Sequence, residues 1–181
     1  MRALHLAVLG ASLLFGLGSS VIPVMNAEIY VGTVPHATGA PALLVALALG
    51  YGQAIGKIPL WFAGRGATRM RDWMERRRPR RASGSAPRRS VPWPRWTRAV
   101  GRALRRWNDA VVAWARADPR RLVVVHLVSS IVMIPPYAVW PAIAGAIGGR
   151  WWVFVVVTGA GRTLLFWTIA LLAGLLPGVV A

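Results

Sequence analysis

Cysteine is absent from the chain, which rules out a disulfide framework, a thiol nucleophile and thiolate metal ligands. Acidic residues are scarce: five Asp and Glu stand against 22 Lys and Arg, and lysine occurs once, as Lys57. The three histidines, His5, His36 and His126, are scattered without zinc-ligand spacing. His126 lies near Ser129 and Ser130 but has no acid to complete a hydrolytic triad, so it reads as a core or interfacial residue. No Gly-rich phosphate loop of the strand-to-helix kind is present. These shortages point away from an enzyme, and neither a cofactor nor a bound metal is expected.

What the chain has in excess is apolar surface and positive charge. Of 181 residues, 56% are hydrophobic, above the roughly 45–50% of soluble domains, and the chain reads as an all-α integral membrane protein. The formal charge is +17, and 18 of the 22 basic residues fall between Arg65 and Arg121 against four acids, Asp72, Glu75, Asp109 and Asp118. A basic block between apolar flanks suits the anionic face of a bilayer better than nucleic acid, for which no recognisable binding fold surrounds it. Arg and Lys near the ends of short loops mark the cytoplasmic side, so the expected location is a multi-pass cell-membrane protein with a cytoplasmic Arg-rich linker.

Three parts follow from this pattern. The first membrane half, 1–64, opens with an apolar helix over 3–18, short for a span of about 20 residues. Arg2, the apolar core and the small residues Gly18 and Ser20 also fit a cleaved signal, but the apolar pattern continuing beyond favours a membrane helix. Residues 19–39 contain Pro23, Asn26, Glu28, Pro35 and His36, and read as a re-entrant, broken segment; an outside loop is the alternative. Pro41 to Gly64 supplies 24 residues, about 36 Å of helix, enough to cross. Its GQAIG pattern, Gly52 to Gly56, lets another helix approach closely, and a homo-oligomer is left open.

The linker, 65–121, has a Pro-, Ser- and Arg-rich middle that reads as extended or disordered. An amphipathic helix is expected over 96–117. Trp96, Val100, Leu104, Trp107, Val111 and Trp114 recur every three or four residues on one face. Arg98, Arg102, Arg105, Arg106 and Arg116 lie opposite, suited to anionic lipid head groups at the membrane plane. The second half, 122–181, has a segment over 122–149 broken by Pro135, Pro136 and Pro141, readable as two half-helices that return to one side or as a single kinked span. A span over 151–176 follows, whose only charge is Arg162.

The halves share a plan. Each has a serine pair (Ser19 and Ser20; Ser129 and Ser130), a proline-broken run, then a clean helix with a Gly-cation dipeptide (Gly56 and Lys57; Gly161 and Arg162) and an aromatic four residues on (Trp61; Phe166). With the linker inside and 122–149 re-entrant, the halves form an inverted repeat of re-entrant helix plus transmembrane helix, the usual sequence pointer to a site near the midplane. Glu28 is the carboxylate of such a site. A charge in a bilayer costs roughly 2.5–3.5 kcal/mol on insertion scales, so it needs a partner. Arg162 and Lys57 are its cationic candidates, with Asn26, Tyr30, Gln53, Ser129 and Ser130 as neutral hydrogen-bonding groups. A guanidinium there binds a lipid phosphate. The alternative is an ion pair that only fixes helix register.

Three stretches resemble the DedA family, also called the VTT or SNARE-associated Golgi protein family: Pro23 to Glu28 as Pro-x-x-x-x-Glu, GYGQAIGKIPLWFAGRG over Gly50 to Gly66, and IPPYAVWPAIAGAIGG with the following WWVF and GAGRTLLFW. The resemblance implies two facing re-entrant segments and movement of lipids or polyprenyl-phosphate carriers across the bilayer, coupled to protons in some members. Membrane lipids are the expected partners, and Glu28 matches the family's acidic position. The chain departs from the pattern after the second-half prolines, where Tyr137, Ala138 and Val139 stand in place of a frequent arginine. It departs again near the first clean helix, where Lys57 stands in the area of a common acid.

Overall fold

The computed structural model describes residues 2–22, 25–77, 109–133 and 137–175. Every regular element among them is helical. The helix α1 (Arg2–Ser19) ends where two serines turn their hydroxyls back onto carbonyls of its last turn: Ser19 Oγ donates to Gly16 O (3.0 Å) and Ser20 Oγ to Leu17 O (2.7 Å). Such side-chain bonds compete with helix continuation. The chain turns through Ser20 to Ile22 and re-enters a helix at α2 (Ala27–Thr38), capped by Asn26, whose Oδ1 accepts from the Glu28 and Ile29 amides. Pro35 lies inside α2 without ending it; the stop is Gly39, at φ 67°, where a left-handed residue closes the helix. The break in the expected re-entrant segment therefore lies before Asn26.

The expected span over 41–64 is two helices, α3 (Ala42–Gly56) and α4 (Ile58–Arg77), with a turn at Lys57. Pro59 has no amide hydrogen to bond the Ile55 carbonyl, and the Lys57 amide instead closes on Ala54 O (3.3 Å). The helix then runs on to Arg77, so the first turns of the basic block, before its Pro-, Ser- and Arg-rich middle, are helical. Of the amphipathic helix expected over 96–117, residues 109–116 are described and helical. Val111 and Ala115 face the core, whereas Trp114 is exposed beneath the Arg121 guanidinium, 5.4 Å from its ring centroid. Arg98, Arg102, Arg105 and Arg106 lie outside the described residues; Arg116 is exposed.

The second half starts earlier than expected. Asp118 caps α5 (Pro119–Val132) by accepting from the Arg120 amide, with Pro119 at the first position. After the left-handed Met133 come α6 (Trp140–Ile147), closed by Gly148 at φ 95°, and α7 (Trp151–Leu175).

Contact points fix the helix directions. Leu13 and Gly16 meet Gly52, and Leu17 and Ser20 meet Gly56, so α1 and α3 run parallel. Leu122 meets Gly149, the His126 ring meets Phe154 and Ser130 meets Gly161, so α5 and α7 also run parallel. The chain must turn back between the members of each pair, through α2 and through α6. A single kinked span over 122–149 would have left α5 and α7 antiparallel. By contrast α3 and α7 cross antiparallel, with Gly50 against Thr163 and Tyr51 against Gly159. Each short return helix lies against the other half: α2 on α7, where His36 Nε2 meets Ala170 O (3.0 Å), and α6 on α4, where Gly145 meets the Trp61 backbone and Gly64 that of Ala142.

Two clusters form the interior. One joins Val31, Val45, Leu49, Phe166 and Ala170; the other joins Trp61, Leu122, Trp140, Ala144 and Phe154. The outer faces carry exposed large apolar residues, among them Leu43, Leu47, Phe62, Val156, Leu164, Trp167 and Leu171, a belt that a protein surrounded by water rarely shows. Ala42–Met70, which runs through α3 into α4, and Trp151–Leu175 are long and apolar enough to cross a membrane, with mean hydropathies of 1.4 and 1.7 over 18-residue windows. The fold is all-α, without a strand among the described residues, and consistent with a multi-pass membrane-spanning bundle.

Candidate functional site

Where α3 crosses α7, the cations of the two halves, Lys57 and Arg162, approach one aromatic ring, that of Tyr137. Gly50 permits the crossing, because a Cβ there would lie 2.8 Å from the Thr163 amide nitrogen. Arg162 is 4% exposed. Its Nε donates to Gln53 Oε1 (2.8 Å), and Gln53 Nε2 donates in turn to Ser19 Oγ (2.9 Å) at the end of α1. Across the site Arg162 Nη2 is 3.9 Å from Glu28 Oε1, whose side chain is 38% exposed. Asn26 places that carboxylate by fixing the first turn of α2. Lys57, buried in the α3–α4 turn, donates from Nζ to Ser20 O (3.2 Å).

Tyr137 closes the arrangement from the α5–α6 connection. Its ring lies between the two cations, with Lys57 Nζ 4.8 Å and the Arg162 guanidinium carbon 4.5 Å from the centroid; Phe166 takes the guanidinium at 5.0 Å. Two positive groups can share an aromatic quadrupole that each attracts. Yet the Tyr137 hydroxyl and Arg162 Nη1 are both buried without a hydrogen-bond partner among the described residues, as is the Thr158 hydroxyl one turn before Arg162 on the same face. An orphaned buried donor costs about 1–3 kcal/mol. Two cations, one half-exposed carboxylate and unspent donors can hold a tetrahedral or carboxylate anion.

Of the residues expected at the site, Glu28, Arg162, Lys57 and Gln53 are brought together, and Asn26 acts at one remove as a cap. Tyr30 is not: it stacks on Phe15 (4.2 Å between centroids), with its hydroxyl 3.1 Å from Ser12 Oγ. Ser130 Oγ is committed to Leu127 O (2.7 Å), and its Cβ and Oγ abut Gly161; Ser129 is fully buried. Ser19, Tyr137 and Phe166 join the site as well. Ser19 and Phe166 belong to the matched plan of the halves, and the hint of Tyr137 is its place after Pro135 and Pro136 in the sequence.

Tyr137→Phe removes a hydroxyl that bonds nothing among the described residues. The variant, relieved of an orphaned buried hydroxyl, is expected to be at least as stable as the parent, by up to about 1–3 kcal/mol, while losing any anion bond that the hydroxyl makes. Thermal unfolding with and without added anionic lipid measures both.

No family model matches the chain, and neither the curated proteins nor the solved structures provide a match. The fold thus defines a class, an all-α bundle with two helices able to cross a membrane, and the site defines its chemistry, a cation pair across an antiparallel helix crossing.

Proposed function

We propose that this protein is a multi-pass cell-membrane protein that moves lipids or polyprenyl-phosphate-type amphiphiles across the bilayer, with Arg162 receiving the anionic head group. The halves act as inverted copies of a re-entrant pair followed by a span, and the Arg-rich linker faces the cytoplasm. The observation that carries the reading is Arg162 itself: a nearly buried guanidinium that spends Nε on Gln53, stands only at the limit of an ion pair with Glu28, and keeps Nη1 unbonded. A cation serving only to lock two helices is better placed with its fork closed on a carboxylate. Glu28 holds the guanidinium when the site is empty and yields it to a phosphate, taking a proton where movement is proton-coupled. The resemblance to the DedA family supports the same reading.

The test is movement of a labelled anionic lipid in proteoliposomes. Glu28→Gln is expected to lose about tenfold in rate, the equivalent of one charged contact, and Arg162→Ala more. Unchanged movement in both variants, with normal folding, overturns the proposal.

A second reading is a non-transporting scaffold, favoured by the exposed Met70, Trp73 and Met74 beside Arg69 and Arg76 at the far end of α4, a surface suited to an anionic bilayer or partner. It expects deletion of residues 76–95 to abolish function and Glu28→Gln to be silent.

A further inference from the structure

Away from the helix crossing, a half-enclosed cavity of about 310 Å³ opens between the helical residues 109–116, the start of α5 and the α6–α7 junction. Leu122, Val123, Ile147 and Val153 make its apolar wall, and Arg116 and Arg150 stand at its rim. Both arginines are exposed, and neither has a carboxylate partner among the described residues. The Arg150 side chain is turned over the Trp152 ring at 4.9 Å. His126, 1% exposed, lines the cavity. Its Nδ1 accepts from Trp140 Nε1–H (2.7 Å), which leaves the proton on Nε2 and makes that atom the ring's remaining donor. The first turn of α7, a 25-residue helix, starts at the same junction with its amides pointing back toward Arg150.

We infer that this cavity is a binding site for the head group of an anionic lipid, separate from Arg162. Two unpaired guanidiniums set the sign of the ligand, the aliphatic wall requires that it be amphiphilic, and the His126 donor gives a neutral contact at depth. The volume, near the lower end of small-ligand sites, takes a phosphate and its glycerol but not two acyl chains, which leave through the open side. Exposed Trp151 and Trp152 flank that side, the residue type of membrane–water interfaces. The cavity is lined by Ala115 and Arg116, at the described end of the basic block, which the proposed orientation sets at the cytoplasmic leaflet, where anionic lipid is presented. The inference rests on the membrane reading but not on lipid movement, and its test is binding alone.

The purified full-length protein in neutral detergent is titrated with phosphatidylglycerol, phosphatidylcholine or inorganic phosphate, and retained lipid is counted by native mass spectrometry. Phosphatidylglycerol is expected to be retained, phosphatidylcholine not, and phosphate not to displace it. Arg116→Gln with Arg150→Gln weakens retention about hundredfold, about tenfold for each lost charge-assisted contact. Val123→Phe, which fills the cavity and leaves the charges in place, weakens it comparably, and thermal unfolding confirms that either variant is folded. Equal retention of the two lipids, displacement by inorganic phosphate, or full retention in the folded variants overturns the inference.

Discussion

Replacing Gly145 by leucine is expected to unseat α6 from α4 and leave a protein that unfolds far below the parent. A Cβ at Gly145 falls on the Trp61 carbonyl oxygen, 2.8 Å from its carbon and 3.3 Å from the Arg65 nitrogen; reciprocally, a Cβ at Gly64 falls on the Ala142 carbonyl. Both obstacles are backbone, so no rotamer change relieves them. Overpacking a formed interior costs about 1–3 kcal/mol, and here the displaced helix also takes Trp140 away from His126 and uncovers Trp61. A loss of more than roughly 3 kcal/mol follows, a large part of the 5–15 that domains typically have. Circular dichroism during heating in detergent measures it. Gly66→Leu, on α4 and with nothing within 4 Å of its Cβ, is the control and is expected to be nearly silent. Equal loss in both variants would mean that α6 does not lie on α4 as described.

The matching features of the two halves were legible because they are local. Serine pairs, proline breaks and Gly-cation dipeptides can be read off a line of residues, and the structure joins them: Ser20 meets Gly56 and Ser130 meets Gly161. What the line does not carry is which half each return helix packs against. Nothing near Ala27–Thr38 says that its partner is α7, more than a hundred residues on, and without that pairing neither the stacking of Tyr30 on Phe15 nor the placing of Tyr137 between two cations can be foreseen. Two boundaries differ from the sequence pattern for simpler reasons. The basic composition after Gly64 reads as a linker, but α4 stays helical to Arg77. Pro35, which suggested a break, is accommodated within α2, and Pro59, inside the expected span, produces one.

Whether the charges at the crossing are a site or a brace is decided by Gln53→Glu. Gln53 is 4% exposed and spends both ends of its amide, Oε1 on Arg162 and Nε2 on Ser19. Glutamate has nearly the same shape, so its carboxylate takes the 2.8 Å position opposite the guanidinium and turns a neutral bond into a charge-assisted one. The bond to Ser19 loses its donor, but the serine keeps its own bond to Gly16 O (3.0 Å). Helix register is therefore held at least as firmly, and the unfolding temperature is expected to stay close to the parent's. The balance of charge changes more: Arg162 and Lys57 against Glu28 leave a net positive site, and a second carboxylate cancels it. An anionic head group loses its attraction, and lipid movement is expected to fall about hundredfold, equivalent to roughly 2.7 kcal/mol. Arg162→Ala should fall as far but also lose stability, because Gln53 Oε1 is then buried without a donor, at about 1–3 kcal/mol. A brace predicts the reverse order, with the strengthened pair of Gln53→Glu fully active and only Arg162→Ala impaired, so the two variants compared for unfolding and for movement separate chemistry at the crossing from mere support of it.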